Sequence, residues 1–332
     1  MEFTGKNVYA GKNVLITGGL GFIGSNLACN LVKLGAKVTL IDSMVESCGA
    51  NPFNISGIKN KVKVVISDIR DNRIMATATK NQDYIFNLAG QVSHIDSMDY
   101  PYEDLELNTA SHICLLEACR HYNPEAIMVY TSTRQVYGRP EYLPVDENHP
   151  LCPIDVNGIN KIAAEHYHLV FNKVYGMRSI VLRLTNTYGP RQLVKHNRQG
   201  FVGWFVRKIV KKEKIRVFGD GNQLRDLNYV EDAVSALLSA ASYKEAYGQI
   251  FNLGMEKPVS LKQLVEIMIK VAGCGSYELV PFPKEKKKID IGSIYTDFSK
   301  LNALTGWSPK KTLEEGLKET FEFYRKNGRH YW

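Results

Sequence analysis

Gly18, Gly21 and Gly24 have the spacing that a phosphate-binding turn requires. They lie in TGGLGFIG (residues 17–24), after an apolar run typical of a strand and before a helical pattern. One glycine permits a tight turn, one lets backbone approach a pyrophosphate, and one lets helix pack on strand. The start of the helix offers unpaired N–H groups and a partial positive charge. The segment therefore predicts a site for the pyrophosphate of a dinucleotide.

An acid at the end of the next strand-like run indicates which dinucleotide this is. Asp42 follows KVTLI in the sequence. A carboxylate here can bond both ribose hydroxyls of NAD, whereas it would repel the 2′-phosphate of NADP. Residues 12–42 are therefore predicted to form a βαβ unit that holds the ADP half of NAD. Asp68, after the following strand-like run, could reach the adenine.

Other catalytic and metal-binding patterns are missing from the sequence. Neither a GxSxG elbow nor a P-loop GK[ST] occurs. His166 and His168 stand two apart in a helical pattern, so their side chains face apart rather than toward one metal. The six cysteines include no CxxC pair and are interpreted as buried thiols in a reducing cytoplasm. We therefore predict no bound metal.

Strand-like and helix-like segments alternate along the first 190 residues. Short β-branched runs begin near residues 13, 37, 62, 84, 126 and 179, and helical periodicity follows most of them. This alternation predicts an α/β protein with a Rossmann-type doubly wound parallel sheet covered by helices on both faces. Ligands of such sheets bind beyond the carboxyl ends of the strands, where the strand order reverses.

The pattern changes after about residue 190, where loops lengthen and helical patterns appear over residues 261–271 and 312–324. We predict an NAD-binding domain over residues 1–190, with strands and helices returning from residues 225–255. A smaller, mainly substrate-binding C-terminal portion is predicted over residues 191–332.

The chain has 332 residues and a formal net charge of +8, partly from basic runs at residues 207–214 and 284–288. No aromatic platform or recognition motif accompanies these runs, so we interpret them as solvated faces and predict no nucleic-acid partner. A positive field could also attract an anionic small substrate. The apolar runs are far shorter than the ~20 residues of a membrane helix, and no signal peptide is evident. We predict a cytoplasmic protein with no membrane partner.

Several motifs occur in an order found in a known protein family. They are TGGLGFIG, Asp42, Asp68-Ile69, NLAGQ at 87–91, YTSTRQVYG at 130–138, NTYGPR at 186–191 and RDLNYVED at 225–232. With this set the chain resembles the extended short-chain dehydrogenase/reductase family, and within it the NAD-dependent nucleotide-sugar epimerases and dehydratases. The resemblance runs from about residue 12 to TGWSP at 305–309.

The resemblance implies that NAD serves as a temporary hydride acceptor. In the family a Tyr with a Ser or Thr takes the proton of a sugar hydroxyl, and a Lys four residues after the Tyr binds the nicotinamide ribose and lowers the Tyr pKa. By position, Thr133 and Lys161 match the Thr and the Lys. The cofactor-binding residues implied are Gly18, Gly21, Phe22, Ile23, Gly24, Asp42, Ser43, Asp68, Ile69, Leu88, Ala89, Gln91, Asn108, Thr131 and Lys161.

The sequence departs from the family at the tyrosine, where Asn157 stands four residues before Lys161. A carboxamide has no proton to exchange near neutral pH, so Asn157 cannot be the acid or base, although it could orient a water or a sugar hydroxyl. Three explanations stay open: another group has replaced the tyrosine, Lys161 accepts the proton, or the chain binds without catalysis. The candidates for a replacement are His94, whose imidazole suits a base near pH 7, Asp96, Tyr137 and Tyr188.

The resemblance also implies a nucleoside-diphosphate sugar as substrate. Arg225 and Asn186 match residues that contact the diphosphate, and a planar guanidinium suits bidentate phosphate binding. Thr133, Arg134 and Arg191 complete the predicted substrate set. Because Arg134 and Gln135 follow Thr133, the acid pair of similar dehydratases and the Glu of similar decarboxylases are missing, which favours an epimerase.

The alternatives are a dehydratase or decarboxylase of the same family and a non-catalytic protein that binds NAD and a nucleotide sugar. The cationic Arg134 would also suit an acidic sugar. By analogy with the family, we expect a homodimer that pairs through the helical patterns at residues 102–121 and 159–174.

Overall fold

The computed structural model describes residues 7–45, 48–284, 287 and 290–332, and a parallel sheet lies at its centre. The apolar, β-branched runs of the sequence form its strands because helices cover both faces. The strands are β1 Asn13–Thr17, β2 Lys37–Asp42, β3 Val62–Ile66, β4 Tyr84–Asn87, β5 Ile127–Thr133, β6 Arg178–Leu184, β7 Asn186–Tyr188, β8 Ile215–Phe218, β9 Leu224–Arg225, β10 Leu227–Tyr229, β11 Ile250–Asn252, β12 Val259–Ser260 and β13 Tyr277–Val280.

Seven strands pair in the central sheet in the order β11-β6-β5-β4-β1-β2-β3, and every pairing is parallel. The chain runs outward from β1 to β3, returns to β4 beside β1, and then runs outward to β11. The predicted doubly wound sheet is therefore confirmed, and its order reverses between β1 and β4. Thr17 pairs with Asn87 at the carboxyl ends of these two strands, so the crevice for a ligand opens there.

Helices cover the sheet, and local sequence signals set several of their ends. Asp155 caps the long helix α6 by accepting from the Gly158 N–H at 2.7 Å, and Ser260 and Gln263 form a capping box at the start of α9. The helices of the described residues are α1 Phe22–Lys33, α2 Asn72–Ala78, α3 His94–Asp99, α4 Pro101–Leu105, α5 Ser111–Tyr122, α6 Val156–Tyr175, α7 Phe201–Val210, α8 Val230–Ala240, α9 Leu261–Ala272, α10 Ser299–Thr305 and α11 Leu313–Asn327.

The helical pattern at residues 102–121 is not one regular helix. It is divided into α4, a π-helical segment at Glu106–Ala110 and α5. The π segment carries Asn108, which is fully buried. Widened turns of this kind are often found at functional sites, where they redirect a side chain.

Two large apolar cores follow the division of the chain. The larger one joins β1, β2 and α1 with side chains of α8, β11 and α10, so α8, β11 and α10 return to the sheet from beyond residue 190. The second core is formed by α7, α9, α11, β8 and β13. The domain boundary near residue 190 stays a prediction, and the basic run at 284–288 falls partly outside the described residues.

Two classes of feature are missing from the described ranges. No helix there combines the length and apolarity that crossing a bilayer demands. Within the same ranges, no group of three or more His, Cys, Asp or Glu side chains is arranged to hold a metal ion.

The prediction of buried cysteines was wrong for most of them. Cys119 is buried, whereas Cys152 is exposed and the other four are partly exposed.

Candidate functional site

A large cleft opens at the carboxyl ends of β1, β2, β4, β5 and β6. Eighteen of the predicted site residues line this cleft, and they include cofactor-binding, catalytic and substrate-binding predictions. They are Gly18, Gly21, Phe22, Ile23, Gly24, Asp42, Ser43, Asp68, Ile69, Leu88, Ala89, His94, Thr131, Thr133, Arg134, Asn157, Lys161 and Asn186.

The glycine turn between β1 and α1 is closed against any side chain. Gly18 has φ +65°, which favours glycine, and a Cβ on Gly24 would lie 2.2 Å from the Gly18 carbonyl oxygen. A Cβ on Gly18 would lie 3.0 Å from the backbone nitrogen of Ala89. The turn therefore presents backbone alone to the cleft, at the start of a helix whose first N–H groups are unpaired.

Asp42 lies beside this turn and is held by backbone. Its Oδ2 accepts from the Leu20 N–H at 3.0 Å and its Oδ1 from the Met44 N–H at 2.9 Å. Burial raises the pKa of Asp42, and these two hydrogen bonds oppose that effect. A fixed carboxylate next to the phosphate turn suits a ribose hydroxyl pair.

Asp68 lies at the outer end of the cleft and pairs with Arg70. Arg70 donates to it from the backbone N–H at 2.8 Å and from its guanidinium at 2.8 and 3.1 Å. Partial burial raises the pKa of Asp68, but the bonds from Arg70 outweigh burial, so the pKa lies below its ordinary value. Asp68 therefore faces the cleft as an ionised acceptor.

Polar groups without partners lie where the π-helical segment packs against α6. The Asn108 carboxamide is fully buried, and both of its polar atoms lack a hydrogen bond within the described residues. A Cβ on Gly90 would lie 2.5 Å from Asn108 Oδ1 and 3.1 Å from Lys161 Nζ. Together with the closed glycine turn, these unsatisfied groups fit a polar ligand such as the ribose of a dinucleotide.

Lys161 projects from α6 into this region and lies over the ring of Tyr130, 5.4 Å from its centroid. Burial lowers its pKa to about 8, and the carboxylates of Asp104 and Glu165 offset only part of that effect. A buried ammonium with this pKa favours a ligand that accepts hydrogen bonds.

Replacing Lys161 by Met is expected to stabilise the protein from which NAD has been removed. The unfolded chain holds this proton up to a pKa of 10.5, whereas the folded chain releases it near pH 8. Between these values the unfolded state binds more protons, so wild-type stability rises with pH across that window. Calorimetry measures the Tm of both proteins as a function of pH. The gain in Tm of Lys161→Met over the wild type should be largest below pH 8 and should disappear toward pH 10.5. A gain that stays constant over this range, or that appears equally in the exposed Lys318→Met, would contradict the assignment.

Asn157 is held in place by its amide group. Its Nδ2 donates to the Gln91 carbonyl at 2.9 Å and to Asp104 Oδ2 at 3.2 Å, while Asn160 donates to Asp104 Oδ1 at 2.8 Å. Both N–H bonds of Asn157 are thus used. Its carbonyl oxygen is left as the polar atom for the cleft, which suits a hydroxyl donor.

His94 has a hydrogen-bonding partner at each of its two ring nitrogens. Its Nδ1 lies 2.9 Å from Asp155 Oδ2, and its Nε2 lies 2.5 Å from Gln135 Nε2. The carboxylate holds the proton on Nδ1, so Nε2 carries the lone pair and accepts from the Gln135 amide. Burial raises the pKa of Asp155, but the bonds from His94 and the Gly158 N–H outweigh it, and the pKa is lowered.

The other candidates for a proton-transfer group are engaged elsewhere, and none lines the cleft. Tyr137 is buried, which raises its pKa to about 12, and its hydroxyl donates to Asn252 Oδ1 at 2.7 Å. The Tyr188 hydroxyl donates to the Leu313 carbonyl, and Asp96 pairs with Arg198 at 2.7 Å.

Arg134 lines the cleft directly after Thr133, at the end of β5. It donates from Nη2 to Asn186 Oδ1 at 3.1 Å, and Asn186 in turn donates to the Asp226 carbonyl at 3.1 Å. Thr133 Oγ1 accepts from the Gln135 N–H at 3.3 Å. The Thr133 hydroxyl proton is therefore available to a ligand.

Four predicted residues do not line the cleft, and their ligand contacts stay predictions. Gln91 accepts from the Val92 and Ser93 N–H groups, and Asn108 lies behind Gly90. Arg191 binds Asn54 and Asn26, which ties the second portion to α1. Arg225 donates to the Leu224 and Gly292 carbonyls.

Sequence reasoning missed Asp155 and Asp104, which position His94 and Asn157. Asp155 had a readable signal, because an Asp directly before a helical pattern is a preferred N-cap. Asp104 had none, because only the packing of α4 against α6 brings it to Asn157. Cleft-lining residues of the second portion were also missed: Gln192, Leu193, Gln199, Gly200, Phe201 and Val202.

The fold and the cleft define a dinucleotide-binding α/β protein. The sequence profile of the NAD dependent epimerase/dehydratase family matches residues 14–254, and the chain belongs to this family. The cofactor is accordingly NAD, and the residues at the glycine turn and around Lys161 fit it.

Similar proteins extend over nearly the whole chain. A Methanocaldococcus jannaschii protein, provisionally named a UDP-glucose 4-epimerase, is 33% identical over 317 residues, covering 95% of this chain and 99% of that protein. A solved Thermotoga maritima UDP-glucose 4-epimerase with UDP-glucose is 31% identical, with a TM-score of 0.86 and coverage of 95% and 99%. The Thermus thermophilus UDP-glucose 4-epimerase in complex with NAD is 29% identical, with a TM-score of 0.83 and coverage of 94% and 99%.

Proposed function

We propose that the chain is a cytoplasmic nucleotide-sugar epimerase that oxidises one sugar hydroxyl to a ketone and reduces the ketone on its opposite face. The observation that carries this proposal is a single cleft that joins the glycine turn and Asp42 to Thr133, Lys161 and Arg134. NAD, when bound, would supply reversible hydride transfer at this site. Positions 134 and 135 hold Arg and Gln instead of acidic residues. This favours epimerisation over dehydration or decarboxylation, which are the alternatives within the family.

His94 is proposed as the proton-transfer group in place of the missing tyrosine. Asp155 holds the imidazole with its proton on Nδ1 and would stabilise the imidazolium that forms. A sugar hydroxyl would displace the Gln135 amide from Nε2 and give its proton there. The proton returns to the oxygen when the ketone is reduced again.

Thr133, Asn157 and Lys161 are proposed to position the reacting groups. The Thr133 hydroxyl donates to the sugar oxygen, and the Asn157 carbonyl oxygen accepts from a sugar hydroxyl or a water. The Lys161 ammonium binds the ribose of the cofactor beside Asn108, where the protein leaves polar groups unsatisfied. Cofactor contacts from Phe22, Ile23, Ser43, Leu88 and Thr131 line the same cleft.

Asn186, Arg225 and Arg191 are proposed to bind the diphosphate of the nucleotide sugar. Asn186 already lines the cleft. Arg225 would have to exchange the Gly292 carbonyl for phosphate oxygens, which form stronger charge-assisted bonds. Arg191 would have to release Asn54 and Asn26, which use its donors.

Product analysis tests the proposed reaction. The purified protein with NAD is incubated with UDP-, CDP-, GDP- and dTDP-linked hexoses and hexuronates, and products are separated by chromatography and identified by NMR. We expect inversion of one ring carbon with no net reduction of NAD, because the hydride returns to the sugar. Loss of water or of CO₂ would instead indicate the dehydratase or decarboxylase. Binding without turnover of any sugar would support the non-catalytic alternative.

We also propose that the protein is a homodimer that pairs through α4, α5 and α6. Tyr102 and Leu105 on α4 and Ile159, Val170 and Val174 on α6 are exposed apolar side chains, and α4 and α5 both contact α6. Contiguous apolar side chains on adjacent helices are typical of an interface. A monomer in sedimentation velocity at micromolar concentration would contradict this proposal.

A further inference from the structure

Arg134 is a cation buried at the wall of the cleft. It stands at the start of the short turn Arg134–Tyr137, directly after Thr133, and only 7% of its surface is exposed. The position is set by β5, whose carboxyl end points into the cleft. A ligand bound against Thr133 would therefore meet the neighbouring guanidinium.

The hydrogen bonds of this guanidinium are incomplete. Nη2 donates to Asn186 Oδ1, a neutral acceptor, whereas Nη1 is buried without a partner among the described residues. The adjacent Ser132 hydroxyl, which also lines the cleft, is likewise buried and unpartnered there. Buried donors of this kind are normally satisfied, and a guanidinium offers five N–H groups in one plane.

The charge of Arg134 is not neutralised by a direct ion pair within the described ranges. Two carboxylates, Asp226 and Asp155, raise the pKa of Arg134 without a direct contact. Both are hydrogen-bonded to other groups: Asp226 accepts from Thr185 and Thr296, and Asp155 accepts from His94 and Gly158. Burial, together with the second cation Arg225, lowers the pKa of Arg134 to about 10. A buried cation without a carboxylate hydrogen-bonded to it is costly, so the site gains from an anion brought by a ligand.

We propose that Arg134 binds an oxyanion of the substrate and that this oxyanion is a carboxylate on the sugar. The substrate class would then be a nucleoside-diphosphate hexuronate. Two parallel N–H groups of a guanidinium match the two oxygens of a carboxylate. The carboxylate is favoured over the diphosphate because Arg134 adjoins Thr133, the residue proposed to bond the reacting sugar. This inference rests on the proposed function for the identity of the site.

Calorimetric titration of the NAD-bound protein with UDP, UDP-glucose and UDP-glucuronate tests the inference. We expect the wild-type protein to bind UDP-glucuronate about 10- to 100-fold more tightly than UDP-glucose, as one desolvated charge-assisted pair would produce. In Arg134→Met, the ratio of these two affinities should fall to about one. Arg134→Lys, which keeps the charge but loses the planar fork, should give an intermediate ratio and carries the test if Arg134→Met does not fold. The control is Arg178→Met, at the amino end of β6 and away from the cleft, and it should keep the wild-type ratio.

Three outcomes would overturn the inference. One is equal wild-type affinity for the two sugars, including no measurable binding of either. Another is a loss of UDP affinity in Arg134→Met as large as the loss of UDP-glucuronate affinity, which would assign the guanidinium to the diphosphate. The last is an unchanged ratio in Arg134→Met. Since the readout is binding, a preserved preference without epimerisation would reject the proposed function alone.

Discussion

Replacing His94 by Gln is expected to lower kcat/KM for epimerisation by about 10²- to 10⁴-fold, the contribution of a positioned acid–base group. The imidazole is the cleft group with a carboxylate on one nitrogen and a lone pair on the other. Glutamine preserves size and polarity but cannot exchange a proton. NAD binding should be unchanged, because the glycine turn and Asp42 do not contact His94. The change in kcat/KM is measured by steady-state kinetics, with the nucleotide sugar that product analysis identifies as the substrate.

Two further variants make the His94 result specific. Asp155→Asn can still cap α6, so it should fold, but it removes the charge that stabilises an imidazolium and should lower kcat more than it changes KM. His121→Gln changes an exposed histidine on α5 and should behave as wild type. Wild-type kcat/KM in His94→Gln would reject His94 as the base and leave Lys161 as the remaining cleft candidate.

Replacing Gly24 by Ala is expected to weaken NAD binding by about 100-fold. The added Cβ would lie 2.2 Å from the Gly18 carbonyl oxygen and 3.0 Å from Gly19 Cα. Both neighbours are backbone, so the turn itself must move, at a cost of about 1–3 kcal/mol in overpacked sites. The same shift would misalign the N–H groups at the start of α1. Titration of NAD into the cofactor-free protein measures the loss.

Gly57 provides a matched control for the same substitution. A Cβ there would meet nothing within 4 Å, so Gly57→Ala should bind NAD as the wild type does. Its stability should change by less than about 1 kcal/mol. Wild-type NAD affinity in Gly24→Ala would show that the turn tolerates a side chain and does not carry the pyrophosphate.

The strands of the central sheet were predictable because each is a short apolar run covered on both faces. Six strand-like runs match β1 to β6 within a few residues. The seventh strand, β11, has only three residues. It pairs with β6, although it begins 66 residues after β6 ends. Nothing local marks so short a strand, since its pairing depends on α8 bringing the chain back to the sheet edge.

The geometry of the candidate site was less predictable than the fold. His94 and Asn157 could be singled out by residue type, yet nothing in the sequence joined His94 to Asp155, 61 residues away. Arg134 was visible as a cation after Thr133, but its burial and its bond to Asn186, 52 residues away, depend on how β5 and β6 lie side by side. Arg191 and Arg225 were predicted to bind phosphate, but in the structure their guanidinium groups donate to backbone and amide oxygens. Their sequence motifs gave no indication of these partners.

The residues alone were sufficient for the dinucleotide turn. Its glycines, the helix start and the carboxylate at 42 all belong to one βαβ unit, so backbone sterics and short-range hydrogen bonds determine it. The packing of strands and helices that are distant in the sequence decided two other features. It placed the Asp155 carboxylate beside the His94 imidazole, and it buried the Arg134 guanidinium without a carboxylate partner. Burial and charge pairing depend on those long-range contacts, and residue type contains no record of them.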